Sequence, residues 1–496
     1  MMKSIQTLMK TRITQFGLIL AGAALLGGCA GFPPKVGEDY KKPEIAVPSQ
    51  WSVTTSPEKG DSAQRLAKWW RQFNDPQLDK LIDEALAGSY DLKLAQAKLR
   101  QSRASRSQAV SGLFPTLTAS GSATRTQYSN ANAYSSVAGG MSGSIPTRTL
   151  YDAGFDASWE IDIFGGTRRG IEAAEADLAS SEADLNNTRV SLVAEVAQNY
   201  IELISYRQRI NIAQSNLASQ SETLQITEWR YQAGLVTSTD VEQARTNREQ
   251  TRASIPDLEV SSASAENRLA VLVGKNPGSL HDQLKTAKTL PVLPASVASG
   301  IPADVLTQRP DLIAAERTLA AETARTGQKL AKRFPSLNLS GSLGWQAYSL
   351  GALGAAGTLT KSLAASLSQT LFDGGNLRSQ VEIQSAVQEQ AFVTYQKSVL
   401  TALEDVENAL RSYASGRDRV DARSKAAESA RNAAQLTRQQ YQSGLVDFQK
   451  VLDTERTLLT AEDNLASAEA SMRTSLVTLY KALGGGWEPA ADVAAK

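Results

Sequence analysis

Within residues 149–164 hydrophobic and polar positions alternate cleanly from Tyr151 to Ile163. Tyr151, Ala153, Phe155, Ala157, Trp159, Ile161 and Ile163 fall on one side; Asp152, Gly154, Asp156, Ser158, Glu160 and Asp162 fall on the other. A period of two over this length predicts a β-strand with an apolar and an acidic face. Leu117, Ala119, Gly121 and Ala123 give a weaker version from 116 to 128, and a loop rich in Ser, Ala, Asn and Gly at 129–148 separates the two. The pattern returns as Leu337, Leu339, Leu343 and Trp345, a Gly-rich loop near 349–359, then Leu363, Ala365, Leu367 and Leu371. Two β-hairpins, at 115–164 and 335–373, are therefore expected. Their length, alternation and aromatic residues suit the wall of a transmembrane β-barrel. Half of a soluble sandwich is the alternative, and the acidic face opposing the apolar one favours the wall.

Elsewhere the period lengthens to that of a helix. Asp75 as N-cap and Pro76 at the first helical position predict a helix over 76–112, with Leu78, Leu81, Ile82, Ala85 and Leu86 on one face. Phe114-Pro115 stops it. From Gly166 to Arg230, Ile171, Leu178, Leu185 and Leu192 recur by seven, the phase slips, and Leu203, Ile210, Leu217 and Leu224 recur by seven again. Sustained heptads predict coiled-coil packing, and the slip acts as a stutter. Such a rod is roughly 95 Å long at ~1.5 Å per residue. Its counterpart over 376–440 keeps Phe392, Val399, Val406, Tyr413 and Val420 on the same spacing. Each rod ends at a turn, Tyr231-Gln232-Ala233-Gly234-Leu235-Val236 or Tyr441-Gln442-Ser443-Gly444-Leu445-Val446, and returns as a helix at 238–273 or 447–483. Pro256 is expected to kink or divide the first return helix.

The matching turns belong to a longer likeness. Phe114-Pro115-Thr116-Leu117 pairs with Phe334-Pro335-Ser336-Leu337, and Asp91-Leu92 with Asp311-Leu312. Two diverged copies of one unit, 76–274 and 301–483, make up most of the chain, with a Pro-containing connector at 275–300. A solenoid would need more and shorter repeats. The segment 29–75, with Pro33, Pro34, Pro43, Pro48 and Pro57, is expected to be extended, and the tail 484–496 to be flexible.

The first residues read as a targeting segment. Lys3, Lys10 and Arg12 precede an apolar run, Phe16 to Leu26, too short to span a membrane. Leu26-Gly27-Gly28-Cys29 has small residues before the chain's one Cys. This is the pattern of a lipoprotein signal peptide, 1–28, with Cys29 acylated after cleavage; an ordinary signal peptide with an incidental Cys is the alternative.

Composition narrows the function. A net charge of +1 over 496 residues gives no electrostatic case for nucleic acid. One Cys excludes an intramolecular disulfide. His281 is the one His and lies in the polar connector, where it is expected to be solvated rather than catalytic. With no Gly-rich phosphate loop after a strand and no His/Cys cluster, the chain is not expected to be an enzyme or to hold a cofactor other than lipid on Cys29. Four transmembrane strands cannot close a barrel, and an open edge in lipid leaves backbone groups unpaired. The chain must therefore oligomerise, to roughly eight, twelve or sixteen strands for two, three or four copies.

The Cys29 box, Trp69-Trp70 with Phe73, Asp75-Pro76 and Leu78, Arg309-Pro310-Asp311-Leu312, Phe334-Pro335, Leu371-Phe372-Asp373-Gly374-Gly375 and the paired turns resemble those of the TolC-like outer-membrane efflux channels, in their lipoprotein (NodT-type) branch. The resemblance covers about residues 30–483. It implies a mainly α chain with membrane β-structure. Three copies would build a twelve-stranded β-barrel, four strands from each, above a long coiled-coil α-barrel in the periplasm. It implies the exit duct of a tripartite pump, passively conducting small molecules delivered by a periplasmic adaptor (membrane fusion protein) and an inner-membrane efflux transporter of the resistance-nodulation-division type, with outer-membrane lipid around it. Position by position, Asp453 falls on the family's periplasmic gate carboxylate, with Gln449 and Lys450 one turn earlier; Lys450 stands where the archetype is acidic. Tyr441 and Asp240 match a Tyr and an Asp that lock neighbouring helix pairs together, and Val446 replaces the archetype's Arg. The tips Gly234-Leu235 and Gly444-Leu445 are expected to meet the adaptor, since Leu at a turn has no core of its own to fill. The competing class, a lipid-anchored coiled-coil spacer or adhesin, explains the heptads but not the four amphipathic strands.

Overall fold

The protein is described by a computed structural model that covers residues 35–44, 51, 66–127, 147–294 and 308–487. The expected signal peptide, Cys29, most of the loop 129–148 and the end of the connector lie outside the described residues. Helix α1 (Pro76–Gly88) starts where the Asp75 carboxylate accepts from the amides of Gln77 and Leu78, and it buries Leu78, Leu81, Ile82 and Ala85. The helix expected over 76–112 is in fact two, because Ser89 separates α1 from α2 (Tyr90–Ser111). Gly88 gives the reason. A Cβ there would stand 2.3 Å from the carbonyl oxygen of Val273, so backbone packs on backbone and the chain turns at the next residue. The segment before α1 is not extended throughout, since Trp69–Phe73 form a 3₁₀ turn. Trp69 stacks on Tyr480 at 5.2 Å and meets Trp70 and Phe73 edge-on. The first residues of the expected flexible tail are docked there too, with the amides of Gly485 and Gly486 donating to the carbonyls of Tyr480 and Leu66.

Four antiparallel strands, β1 (Thr116–Thr126), β2 (Arg148–Ile161), β3 (Ser336–Ala347) and β4 (Leu359–Ser368), form one sheet in that order. The register places Ala119 opposite Phe155, Phe155 opposite Leu343, and Leu343 opposite Lys361. Side chains opposite one another share a face, so the apolar sets of all four strands lie together and the Ser, Thr, Asp, Glu and Asn sets lie behind them. β4 stops at Ser368, which leaves Leu371 outside the strand it was expected to end. The loop near 349–359 contains two short 3₁₀ turns.

The remaining helices among the described residues are α3 (Gly166–Gln232), α4 (Ser238–Leu272), the single turn α5 (His281–Leu284), α6 (Pro310–Ala331), α7 (Asn376–Gln442) and α8 (Phe448–Ala482). α4 is not divided at Pro256. Along α7 the buried positions Tyr395, Ala402, Ala409 and Gly416 recur by seven, slip, and resume as Ala427, Ala434 and Tyr441. This is the stutter of α3 repeated in the second copy. Small residues on this seam allow close helix approach: a Cβ on Gly416 would touch the Met472 side chain at 3.4 Å.

Two compact units divide the chain. Among the described residues, the first holds the sheet with residues 35–41, 104–176 and 320–390; the second holds 42–103, 177–319 and 391–487. Within the first, the strand ends next to α3 and α7 are fixed by carboxylate caps. Asp162 accepts from the amide and guanidinium of Arg168, and Asp373 accepts from the amides of Gly375 and Leu377. Phe164 stacks on Phe334 at 4.9 Å, joining the two repeats. The first described residues lie in the same place. The amide of Val36 donates to the Phe164 carbonyl, and the fully buried Arg169 donates to the carbonyls of Val36 and Gly37.

Candidate gate and docking tip

The two turns are built alike and pack together. In each, the Leu amide reaches back to a helix carbonyl, Leu235 to Arg230 and Leu445 to Gln440, both at 2.8 Å. The intervening Gly234 and Gly444 take φ of +74° and +75°. That is a glycine-closed helix end, in which a Cβ would be strained. The return helices start at once. Thr237 and Asp240 form a capping box for α4, and Asp447 accepts from the amide of Lys450 to cap α8. Leu224, Val241, Ala244, Tyr441, Phe448, Val451 and Leu452 bury into one small core shared by both turns, with Val446 and Ile226 at its margin. Leu235 and Leu445 stay outside it, 68% and 75% exposed.

At the centre of this core Tyr441 is 1% exposed. Its hydroxyl lies 3.2 Å from the Thr227 hydroxyl, and the Arg230 guanidinium lies over its ring at 4.4 Å while donating to its carbonyl at 2.8 Å. The expected bond from Tyr441 to Asp240 is therefore not made within the chain. The capping box takes Asp240 instead: its carboxylate accepts from the amide of Thr237 at 2.9 Å and the hydroxyl at 2.8 Å. A carboxylate at the third helical position satisfies donors a single turn away, at less ordering cost than a partner on another helix. A cation does reach this core, but it is Arg230 from the opposite turn and not a residue at position 446.

On α8, Gln449 donates to Asp453 at 3.1 Å, one turn along, and Gln449, Lys450 and Asp453 are all exposed. Two residues beyond Asp453 lies Glu455, a carboxylate only 4% exposed. It accepts from the Thr223 hydroxyl at 2.7 Å and sits 3.5 Å from the Arg438 guanidinium. Burial pushes its carboxyl above the usual range against the opposing pull of Thr223 and Arg438. The i, i+3, i+4, i+7 run Phe448, Val451, Leu452, Glu455 carries the signal that could have placed it on the buried face. Arg456, the next residue, donates to the buried Asn247 of α4 at 3.1 Å, so the two return helices are also bonded directly.

The other functional surface is the sheet. Its apolar face holds Leu117, Phe155, Trp159, Leu343, Leu363 and Leu367, all exposed in the chain, Leu363 to 87%. The opposite face of β2 holds Asp152, Asp156 and Glu160, with Ser120 donating to Asp156. An apolar face bordered by aromatics and backed by a polar one is the wall of a membrane barrel around a wet interior. The other unit contributes long helices that end in the small packed tip.

The comparisons agree with that class. Residues 81–275 and 301–485 match the family described as outer membrane efflux protein. The chain is 32% identical over 480 residues to the pyoverdine export outer membrane protein OpmQ of Pseudomonas aeruginosa, covering 95% of this chain and 96% of that one. It is 28% identical over 464 residues to the Salmonella typhimurium protein named "Probable outer membrane lipoprotein SilC", covering 93% and 97%. Among solved structures, the outer-membrane channel OprN superposes with a TM-score of 0.82 at 35% identity, covering 92% of this chain and all of that one. The chain belongs to the outer membrane efflux protein family. It is an outer-membrane channel, the exit duct of an efflux pump, with a helical barrel and a β contribution from each chain.

Proposed function

We propose that three copies of the chain close one β-barrel and one helical conduit, and that this conduit receives small-molecule substrates from a periplasmic adaptor and an inner-membrane efflux transporter. The observation that carries the reading is the two-faced sheet whose edge strands β1 and β4 have no further neighbour among the described residues. Lipid forbids such edges, so other copies must cover them. The paired tips support the rest. Leu235 and Leu445 present apolar side chains on glycine-closed turns, the surface an adaptor would grip. Behind them the Arg230–Tyr441–Thr227 cluster and the shared core hold the helix ends together. Asp453, with Gln449 and Lys450, sets the charge at the narrowest part of the resting conduit.

Cys29 is the proposed lipid attachment. Six residues later the chain is clamped at Lys35–Gly37 against the helix end of the sheet, and six residues reach about 20 Å. A diacylglycerol on Cys29 therefore falls within reach of the membrane edge of the barrel. The name of SilC points the same way.

Efflux in cells that lack their own outer-membrane component tests this reading. The wild-type chain restores export of a fluorescent substrate when its adaptor and transporter are present. Leu235→Glu with Leu445→Glu abolishes export while trimers still form. Wild-type export by that variant would show that docking lies elsewhere.

A further inference from the structure

The internal repeat specifies the pairing that covers the two open edges. Thr116 opposite Ser158 in β1–β2 corresponds to Ser336 opposite Ser368 in β3–β4, so the two hairpins keep one register. The junction between the repeats, β2 with β3, sets Tyr151 opposite Ala347 and Ile161 opposite Leu337. Carrying each residue to its counterpart in the other repeat gives the junction of β4 in one copy with β1 in the next. Lys361 falls opposite Gln127, Leu363 opposite Arg125, and Leu367 opposite Gly121. Each pair joins like face to like face, which a slip of one residue would reverse.

In this register Lys361 of one copy and Arg125 of the next are diagonal neighbours on the apolar face, where diagonal side chains stand about 7–8 Å apart. They are the two charged residues on that face of the four strands; Leu, Ala, Gly, Phe, Trp, Tyr, Ile and Thr149 fill the rest. Both lie near the loop ends of their strands, away from the ends that run into helices. Among the described residues neither forms an ion pair, and both are exposed in the chain. Two cations side by side on a lipid-facing surface repel each other and lack water to screen them. An anion between them removes both penalties, and at the outer rim the lipid itself carries one.

We propose that each seam of the assembled barrel binds a phosphate of an outer-leaflet lipid headgroup, held by Arg125 of one copy and Lys361 of the next. A guanidinium can take two phosphate oxygens at once, and a lysine adds a mobile point charge on a stem that lies along apolar surface. No single chain contains the site. It rests on the barrel reading above, and the test separates the two.

Native mass spectrometry of the detergent-solubilised trimer with diphosphoryl lipid A reads the site, alongside disulfide trapping of the seam. Ser122→Cys with Ser366→Cys, opposite one another in the inferred register, should link neighbouring copies on oxidation, and Ser122→Cys with Ser362→Cys should not. Wild type should retain diphosphoryl lipid A. Arg125→Gln or Lys361→Gln should each weaken retention about tenfold, the scale of one charged hydrogen bond. Dephosphorylated lipid A should bind wild type and variants alike. Trimers that conduct ions and form the predicted cross-link, yet hold lipid A equally in wild type and both variants, would overturn the site and leave the barrel standing. Cross-linking in the other register alone would overturn it by separating the two cations. Inorganic phosphate displacing lipid A at equal concentration would overturn the lipid assignment. Failure to form any trimer or carry any current would remove the barrel reading, and the site with it.

Discussion

The Arg230 guanidinium covers the Tyr441 ring at 4.4 Å and donates to the carbonyl of the same residue at 2.8 Å. One side chain thus ties the end of α3 to the end of α7, and it comes from the first repeat; Gln440 stands at the corresponding place in the second. The stacked and bonded guanidinium contributes about 1–3 kcal/mol to holding the two turns together. Arg230→Ala should speed hydrogen exchange at the amides of Leu235 and Leu445 and leave the sheet amides unchanged. Arg230→Lys should restore little, because an ammonium cannot stack flat and bond at once. Full protection in Arg230→Ala would remove this residue from the account of closure.

Glu455 makes the tip less stable as pH rises. Burial raises its carboxyl above the ordinary range in the folded state, so the folded protein binds a proton that the unfolded chain has already lost. The stability it contributes is complete below the ordinary carboxylate value and is lost as pH rises through the raised one. Thermal melts should therefore show tighter tip packing at about pH 5 than at about pH 7.5 on this group's account. Glu455→Gln keeps an acceptor for Thr223 and should flatten that slope while raising stability at neutral pH. An unchanged slope in the variant would assign the pH dependence to other groups.

Acylation can be read apart from conduction. Metabolic labelling with palmitate should mark wild type and not Cys29→Ser with its signal peptide otherwise intact. One acyl chain holds a protein at a membrane only marginally, but several chains together with an inserted barrel hold it firmly. The unlabelled variant should accordingly still insert. Equal labelling of both proteins would dispose of Cys29 as the lipid site.

The strands were legible in the sequence because a period of two leaves no other way to sort Tyr151 to Ile161 from Asp152 to Glu160, and the observed register keeps those faces apart. The tips were legible because Gly before Leu at the end of a heptad run closes a helix. What escaped depends on contacts across the fold. The break at Ser89 follows from the carbonyl of Val273, far away in sequence, standing where a side chain on Gly88 would be. The docking of Gly485 and Gly486 depends on Tyr480 and Leu66 meeting. The match by position pairs Tyr441 with Asp240, whereas Thr237-Ser238-Thr239-Asp240 reads as a capping box that occupies the carboxylate. Arg230 and Glu455 look like ordinary charged helix residues until the helices that surround them are in place.

Conductance of the purified protein in planar bilayers tests the central claim, that the chain forms a passive channel held shut by packing at its two tips. Wild type should give discrete steps of low, ohmic conductance, and Arg230→Ala combined with Tyr441→Phe should raise the step size with trimer assembly unchanged. Asp453→Asn should leave the step size low and weaken the preference for cations, since charge at the constriction is lost while the helices remain packed. Equal steps in wild type and the Arg230–Tyr441 variant would place the closure elsewhere, and no current from any of them would contradict the channel itself.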